Sequence, residues 1–170
     1  MASPSPEIRS IAAQRAAVER AQTDADGIAG VVDRTFPALF ARLAEQGAAP
    51  AGPPYIRYLR HDEVFDLELG VPVPDGTAVV RELRGGLPAG RTAILRYMGH
   101  FSGLRAACDG LMEWVAEHGE EAAGPMWEVY VTNPREEPDS SKWITDIHIR
   151  CARLSTSRCA ERGAAPSSAG

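Results

Sequence analysis

The most chemically loaded position in the chain is Glu128, which sits inside the run Trp127-Glu128-Val129-Tyr130-Val131. A carboxylate at the heart of an aromatic, β-branched strand is costly unless it meets water, a proton donor or a cation. It can hold a cationic ligand, with Tyr58 and Tyr130 stacking on delocalised charge. If burial raises its pKa, it can serve instead as a general acid or base. The residues alone leave both roles open.

Strand alternation supplies the expected neighbours, because successive side chains point to opposite faces. Trp127, Val129 and Val131 are expected beneath a helix, leaving Glu128, Tyr130 and Thr132 on the other face. In the last strand, Thr145, Ile147 and Ile149 take the helix side, and Asp146, His148 and Arg150 the opposite one. Ile56, Tyr58 and Glu68 hold the matching places earlier in the chain. The expected cleft therefore gathers Tyr58, Tyr130, Glu68, Glu128, Asp146 and His148, with Ile56, Met98, Phe101, Trp127 and Trp143 completing its lining. In a hydrolase, Glu128 or Asp146 would activate water or protonate a leaving group while Tyr58 or Tyr130 orients the ligand. The plainer alternative is that this is the solvated face of a two-layer domain.

Other motifs carry less. Gly85, Gly86 and Gly90 are followed by neither Gly-Lys-Ser/Thr nor a helix, so they mark a turn rather than a phosphate loop. In Gly99-His-Phe-Ser-Gly103 the serine stands one place late for a nucleophile elbow, and Ser102 is expected to cap a helix. His61, His100, His118 and His148 lack metal-ligand spacing, so neither a metal nor a cofactor is expected. Cys108, Cys151 and Cys159 are odd in number and widely spaced, which suits reduced thiols rather than a disulfide framework.

The elements that must position these residues are two amphipathic helices, expected over Ile28 to Gly47 and Ser102 to Gly119, and seven strands. The strands are expected at Arg15 to Gln22, Tyr55 to Arg60, Val64 to Val71, Thr77 to Arg84, Arg91 to Met98, Trp127 to Thr132 and Trp143 to Cys151. Pro37 interrupts the first helix and is expected to kink or restart it. The order repeats. At an offset of 72 residues, the spacing of Glu45 and Glu117, the residues Gly47, Ala51, Gly52, Pro53 and Tyr58 fall on Gly119, Ala123, Gly124, Pro125 and Tyr130 with identical types. After the tyrosines the register shifts by six, pairing Glu68 with Asp146 and Val71 with Ile149. The fold class read from this is α+β: a duplicated β-α-β-β unit with pseudo-twofold symmetry, two helices packed on antiparallel sheet, and a ligand cleft where the copies meet.

The chain of 170 residues, 44% hydrophobic, suits one domain. Residues 1–9 and 153–170, rich in Ala, Ser, Gly and Pro, are expected to be poorly ordered around a domain at 10–152, with repeats near 10–84 and 87–152. A net charge of -5 argues against a dedicated nucleic-acid binder and suits a neutral or cationic ligand. Neither a long apolar run nor a secretory leader is evident, so a cytoplasmic protein without a membrane partner is expected. Oligomeric state is not legible.

Gly-Pro-Met-Trp-Glu-Val-Tyr-Val-Thr-Asn-Pro at 124–134, with Ser-Lys-Trp-Ile-Thr-Asp-Ile at 141–147, resembles the GyrI-like small-molecule-binding domain. Leu-Pro-Ala-Gly-Arg-Thr-Ala at 87–93 and Phe-Asp-Leu-Glu-Leu-Gly-Val-Pro-Val at 65–73 follow the same pattern. The resemblance implies a duplicated β-α-β-β fold. It also implies kinship with effector domains of AraC-type and MerR-type bacterial multidrug-sensing regulators, gyrase-inhibitory proteins, and hydrolases of cyclopropane-containing genotoxic compounds. The family's acidic position carries over to Glu128, with Asp146 as a second. This sequence departs from the pattern at Phe101, where tyrosine is usual, at His148, and at Arg150-Cys151 in place of Pro-Val. Three functions are compatible with these residues: a binding protein that sequesters or senses an aromatic, amphipathic or cationic compound and confers resistance, a hydrolase of electrophilic natural products, and a gyrase- or protein-interaction module. The domain is expected to occupy almost the whole chain, leaving little room for a helix-turn-helix.

Overall fold

A computed structural model describes residues 5–155. In chain order the elements are β1 (Glu7–Ile11), β2 (Gln14–Thr23), α1 (Ile28–Glu45), β3 (Tyr55–His61), β4 (Phe65–Pro72), β5 (Arg84–Leu87), β6 (Gly90–Met98), α2 (Leu104–Glu117), β7 (Glu120–Ala122), β8 (Trp127–Tyr130) and β9 (Ile144–Arg153). All the strands pair antiparallel, in the order β1-β6-β9-β8-β3-β4-β2-β5, with β7 attached to the far end of β9. The two halves read outward from the β8–β3 seam as β8-β9-β6 and β3-β4-β2. The duplication is therefore visible as a mirror of strand order about that seam.

The helices lie over equivalent places. Val31, Leu39 and Leu43 of α1 pack on Ala17, Leu67, Leu69 and Val71, while Leu104, Leu111 and Val115 of α2 pack on Ala93, Ile147 and Ile149. Leu39 and Leu111, repeat equivalents, are both wholly buried. Burying one such side chain contributes about 1.5–3 kcal/mol. Each helix ends in a left-handed glycine, Gly47 at φ 66° and Gly119 at φ 70°, a conformation that glycine adopts without the Cβ clash other residues meet.

Several expectations require correction. The N-terminal segment is not disordered through residue 9, because β1 pairs with β6 from Glu7 onward. At the other end β9 runs through Arg153, and residues 156–170, with Cys159, lie outside the described residues, as do residues 1–4. Thr77 to Arg84 is not a strand: a 3-10 turn at Arg81–Leu83 leads into the short β5. Ser102 does not cap α2. It lies within a 3-10 turn at Phe101–Gly103, where the His100 ring accepts its backbone N–H at 3.1 Å. Pro37 sits within a continuous α1 and does not restart it.

The first strand of each repeat crosses to the other. β1, which precedes β2, pairs with β6, and β5, which precedes β6, pairs with β2. Only Ala12 and Ala13 separate β1 from β2, although β1 is first and β2 next to last in the strand order. The sheet must curl for two residues to join its ends. Curling buries part of the face away from the helices as well, where Ala16, Val18 and Tyr55 form a third, small core.

Candidate functional site

Cross-strand partners share a face, so the register decides which side chains can meet. Glu128 stands opposite Ile56 on β3 and Ile147 on β9, and Tyr130 stands opposite Thr145. Ile56 and Ile147 belong to the cores under the helices. Glu128 and Tyr130 therefore lie on the helix face, and Trp127 and Val129 on the other, the reverse of the expected assignment for β8. The amphipathic reading failed because both faces of this strand are covered: Trp127 is 1% exposed, its ring stacked on His148 at 5.1 Å with 9° between planes.

On the helix face a groove of about 1710 Å³ runs between α1 and α2. Ile28, Val32, Phe36 and Phe40 wall it from α1, and Leu104, Cys108 and Met112 from α2. Ile56, Tyr58, Glu128 and Tyr130 lie along the sheet beneath, with Phe101 at one side. Phe101 meets Tyr130 edge to face at 5.7 Å and is backed by Trp143 at 4.7 Å. Phe65 meets Tyr58 in the same edge-on manner at 6.3 Å.

Glu128, 5% exposed, is the electrostatic centre of this groove. Tyr130 and Tyr58 both donate their hydroxyls to its Oε2, at 2.6 and 2.9 Å, and the Cys108 thiol donates to Oε1 at 3.7 Å. Burial raises the Glu128 pKa above the ordinary carboxylate value, and the three donors oppose that rise by favouring the ionised form. The donors are held protonated in turn. Burial, then the Glu128 charge, raises both phenols and pushes the Cys108 thiol up to about 12. The arrangement is a buried carboxyl with an aromatic surround, able to stabilise a cation when ionised or to exchange a proton with a bound molecule.

Of the residues anticipated from sequence, Ile56, Tyr58, Phe101, Glu128 and Tyr130 line the groove. Trp143 supports it from behind Phe101. Glu68, Asp146, His148, Trp127 and Met98 do not belong to it. Glu68 stands opposite Arg57 on the face away from the helices, with Arg57 at 3.8 Å, Arg20 at 3.5 Å and the Tyr55 hydroxyl at 3.4 Å. Asp146 is held there by Arg96 through two hydrogen bonds of 2.8 Å. His148 is kept below its ordinary pKa by burial. Met98 stands opposite Ile144, on that same face, and is largely exposed. A smaller hollow of about 540 Å³ adjoins Glu68, Arg20, Arg57 and Arg84. Cys108 is expected from sequence only as a reduced thiol, without a role in the cleft; a thiol at the repeat position of Phe36 is the signal that was available. Cys108 and Cys151 carry free thiols, and among the described residues no cluster of three His, Cys, Asp or Glu could hold a metal. No helix among them is long and apolar enough to cross a membrane.

A family model described as the GyrI-like small molecule binding domain matches residues 4–152. No curated protein matches the chain in sequence. Among solved structures, the EcmrR C-terminal domain superposes with a TM-score of 0.78 at 18% identity, covering 88% of this chain and 98% of that one. In the EcmrR–DNA complex the chain spans 58% of the EcmrR length. SAV2435 bound to tetraphenylphosphonium gives 0.64 at 11% identity, covering 93% and 98%. A hydrolase from Listeria innocua gives 0.59 at 13% identity, covering 86% and 91%. At these identities the likeness establishes a shared fold.

Proposed function

Because the chain belongs to the family of GyrI-like small molecule binding domains, we propose that it binds an aromatic, amphipathic or cationic compound in the groove between α1 and α2. One observation carries this reading: a carboxylate only 5% exposed lies beneath a groove large enough for a drug-sized molecule. A bound cation supplies the counter-charge that Glu128 lacks, and the Tyr58, Tyr130 and Phe101 rings offer faces and edges to a delocalised charge. Exposed acids at the groove margin, Asp24, Asp26, Asp33, Asp62 and Glu63, favour approach of positive ligands over negative ones. The role that follows is sequestration or sensing of such compounds in the cytoplasm, and resistance to those that are toxic. SAV2435, which shares the fold, is recorded with tetraphenylphosphonium, a ligand of this class.

A second reading is favoured by the two phenols on one carboxylate oxygen. Glu128 could take a proton from water attacking an electrophilic carbon, while a tyrosine hydroxyl protonates the departing group. The fold likeness to a Listeria innocua hydrolase is compatible with it. Incubating the protein with a rhodamine-type dye and with strained-ring electrophiles, and following fluorescence and ligand mass together, separates the two. Saturable binding with unchanged mass supports the binding role; a mass gain of one water supports hydrolysis; neither binding nor turnover contradicts both.

A further inference from the structure

β5 covers β2 only from Gln14 to Ala17, whereas β4 runs beside β2 as far as Thr23. Past Ala17 the outer edge of β2 is open, and the hollow of about 540 Å³ lies along it, sharing no lining residue with the groove between the helices. Val18 and Leu83 give this hollow apolar surface, and Gly85 and Gly86 give it bare backbone. Its charges are of both signs. Four guanidiniums, from Arg20, Arg42, Arg57 and Arg84, stand against three carboxylates, from Glu19, Glu68 and Glu82.

The two innermost of these charges are loosely joined. The side chains of Glu68 and Arg57 are only 4% and 20% exposed, yet their charged atoms approach no closer than 3.8 Å. Arg20 and the Tyr55 hydroxyl reach Glu68 at 3.5 and 3.4 Å. The Arg57 Nε is buried and has no acceptor among the described residues. On the same sheet, Arg91 and Glu120 close to 2.7 Å, and Arg96 and Asp146 to 2.8 Å. A buried ion pair recovers its desolvation cost only through close and complete hydrogen bonding, so Arg57 keeps capacity for an acceptor and Glu68 for a donor.

We propose that this hollow is a second ligand site, taking a free α-amino acid with an apolar side chain. The ligand carboxylate accepts from the Arg57 and Arg20 guanidiniums, its ammonium donates to Glu68, and its side chain covers Val18 and Leu83. An anion alone would meet three carboxylates here and a cation alone four guanidiniums, whereas a zwitterion satisfies both signs at once. The site stands independently of what the groove between the helices binds.

Backbone amide shifts of Gly85 and Gly86 in the ¹⁵N-labelled full chain, titrated with L-leucine and L-phenylalanine, test this. Saturable shifts at both glycines are expected, with leucinamide and N-acetylleucine, which each lack one of the two charges, binding more weakly by about ten-fold or more. Arg57→Met is expected to abolish the shifts. Should it fail to fold, the exposed Arg20→Gln is expected to weaken leucine binding while leaving dye binding in the helix groove unchanged. Equal binding of either singly charged analogue overturns the zwitterion, an unchanged leucine affinity in Arg20→Gln overturns the placing of the carboxylate, and the lack of a saturable shift with both amino acids overturns the site.

Discussion

Ile56 and Glu128 face each other directly across the β3–β8 seam while standing one repeat length apart in the sequence. Duplication placed two equivalent side chains at the centre of the groove, and one of them is a carboxylate. The phenols of both repeats then converge on that carboxylate, so each half contributes to a single charged centre.

Cation binding should weaken on acidification sooner than an ordinary carboxylate would dictate. The Glu128 pKa is raised, chiefly by burial, and the cation prefers the ionised form. Affinity for tetraphenylphosphonium, followed by calorimetry across a pH series, is expected to be full above the raised pKa and to fall as pH drops through it. In Glu128→Gln the residual affinity should lack this step.

Stability of the free protein should move the other way. A carboxyl whose folded pKa exceeds its unfolded value contributes stability that is present below the unfolded pKa and lost as pH rises through the folded one. Urea denaturation of wild type and Glu128→Gln at matched pH isolates this group. The wild type is expected to gain relative to the variant on acidification; a constant difference would contradict the raised pKa.

Removing a donor should shift the same titration. Tyr130→Phe deletes the 2.6 Å hydroxyl contact that favours ionised Glu128. The pH midpoint for cation binding is expected to rise, with weaker affinity near neutrality and little change well above the midpoint. Direct ¹³C NMR titration of the Glu128 carboxyl checks the shift independently of ligand.

Two glycine substitutions with opposite signs test the packing. A Cβ on Gly70 would lie 2.2 Å from the Tyr55 ring, which is wholly buried and has little room to retreat. Gly70→Ala is expected to cost about 1–3 kcal/mol, as overpacking typically does. Gly110, inside α2, has no atom within 4 Å of such a Cβ, so Gly110→Ala should stabilise by about 0.5–1 kcal/mol through helix propensity. Both are read from urea midpoints.

Helices, most strands and the duplication were legible because each depends on local periodicity or on a register within the chain. The matching Tyr58 and Tyr130, and the apolar stripes ending at Gly47 and Gly119, were enough to reach the architecture. What was not legible depends on curvature. Alternation fixes that Trp127 and Glu128 point apart, but which of them lies under the helices follows only from pairing with Ile56 and Ile147. In a flat two-layer sheet the glutamate would take the open face; here the curl covers Trp127 and His148 on the far side, and the helices cover Glu128. Asp146, His148 and Glu68 keep the face away from the helices, and the expected cluster is split because Glu128, Tyr130 and Tyr58 lie on the other one. The exchange of β1 and β5 between repeats left no local signal, since a strand's partner is not written in its own residues.

The central claim is that Glu128 serves as the counter-charge for a cation bound in the groove. Calorimetric titration of wild type and Glu128→Gln with tetraphenylphosphonium, and with neutral triphenylphosphine oxide of similar shape, tests it most directly. The expected result is a loss of about 1–3 kcal/mol for the cation in Glu128→Gln, with the neutral compound little affected. Equal affinity of both proteins for the cation would contradict the account.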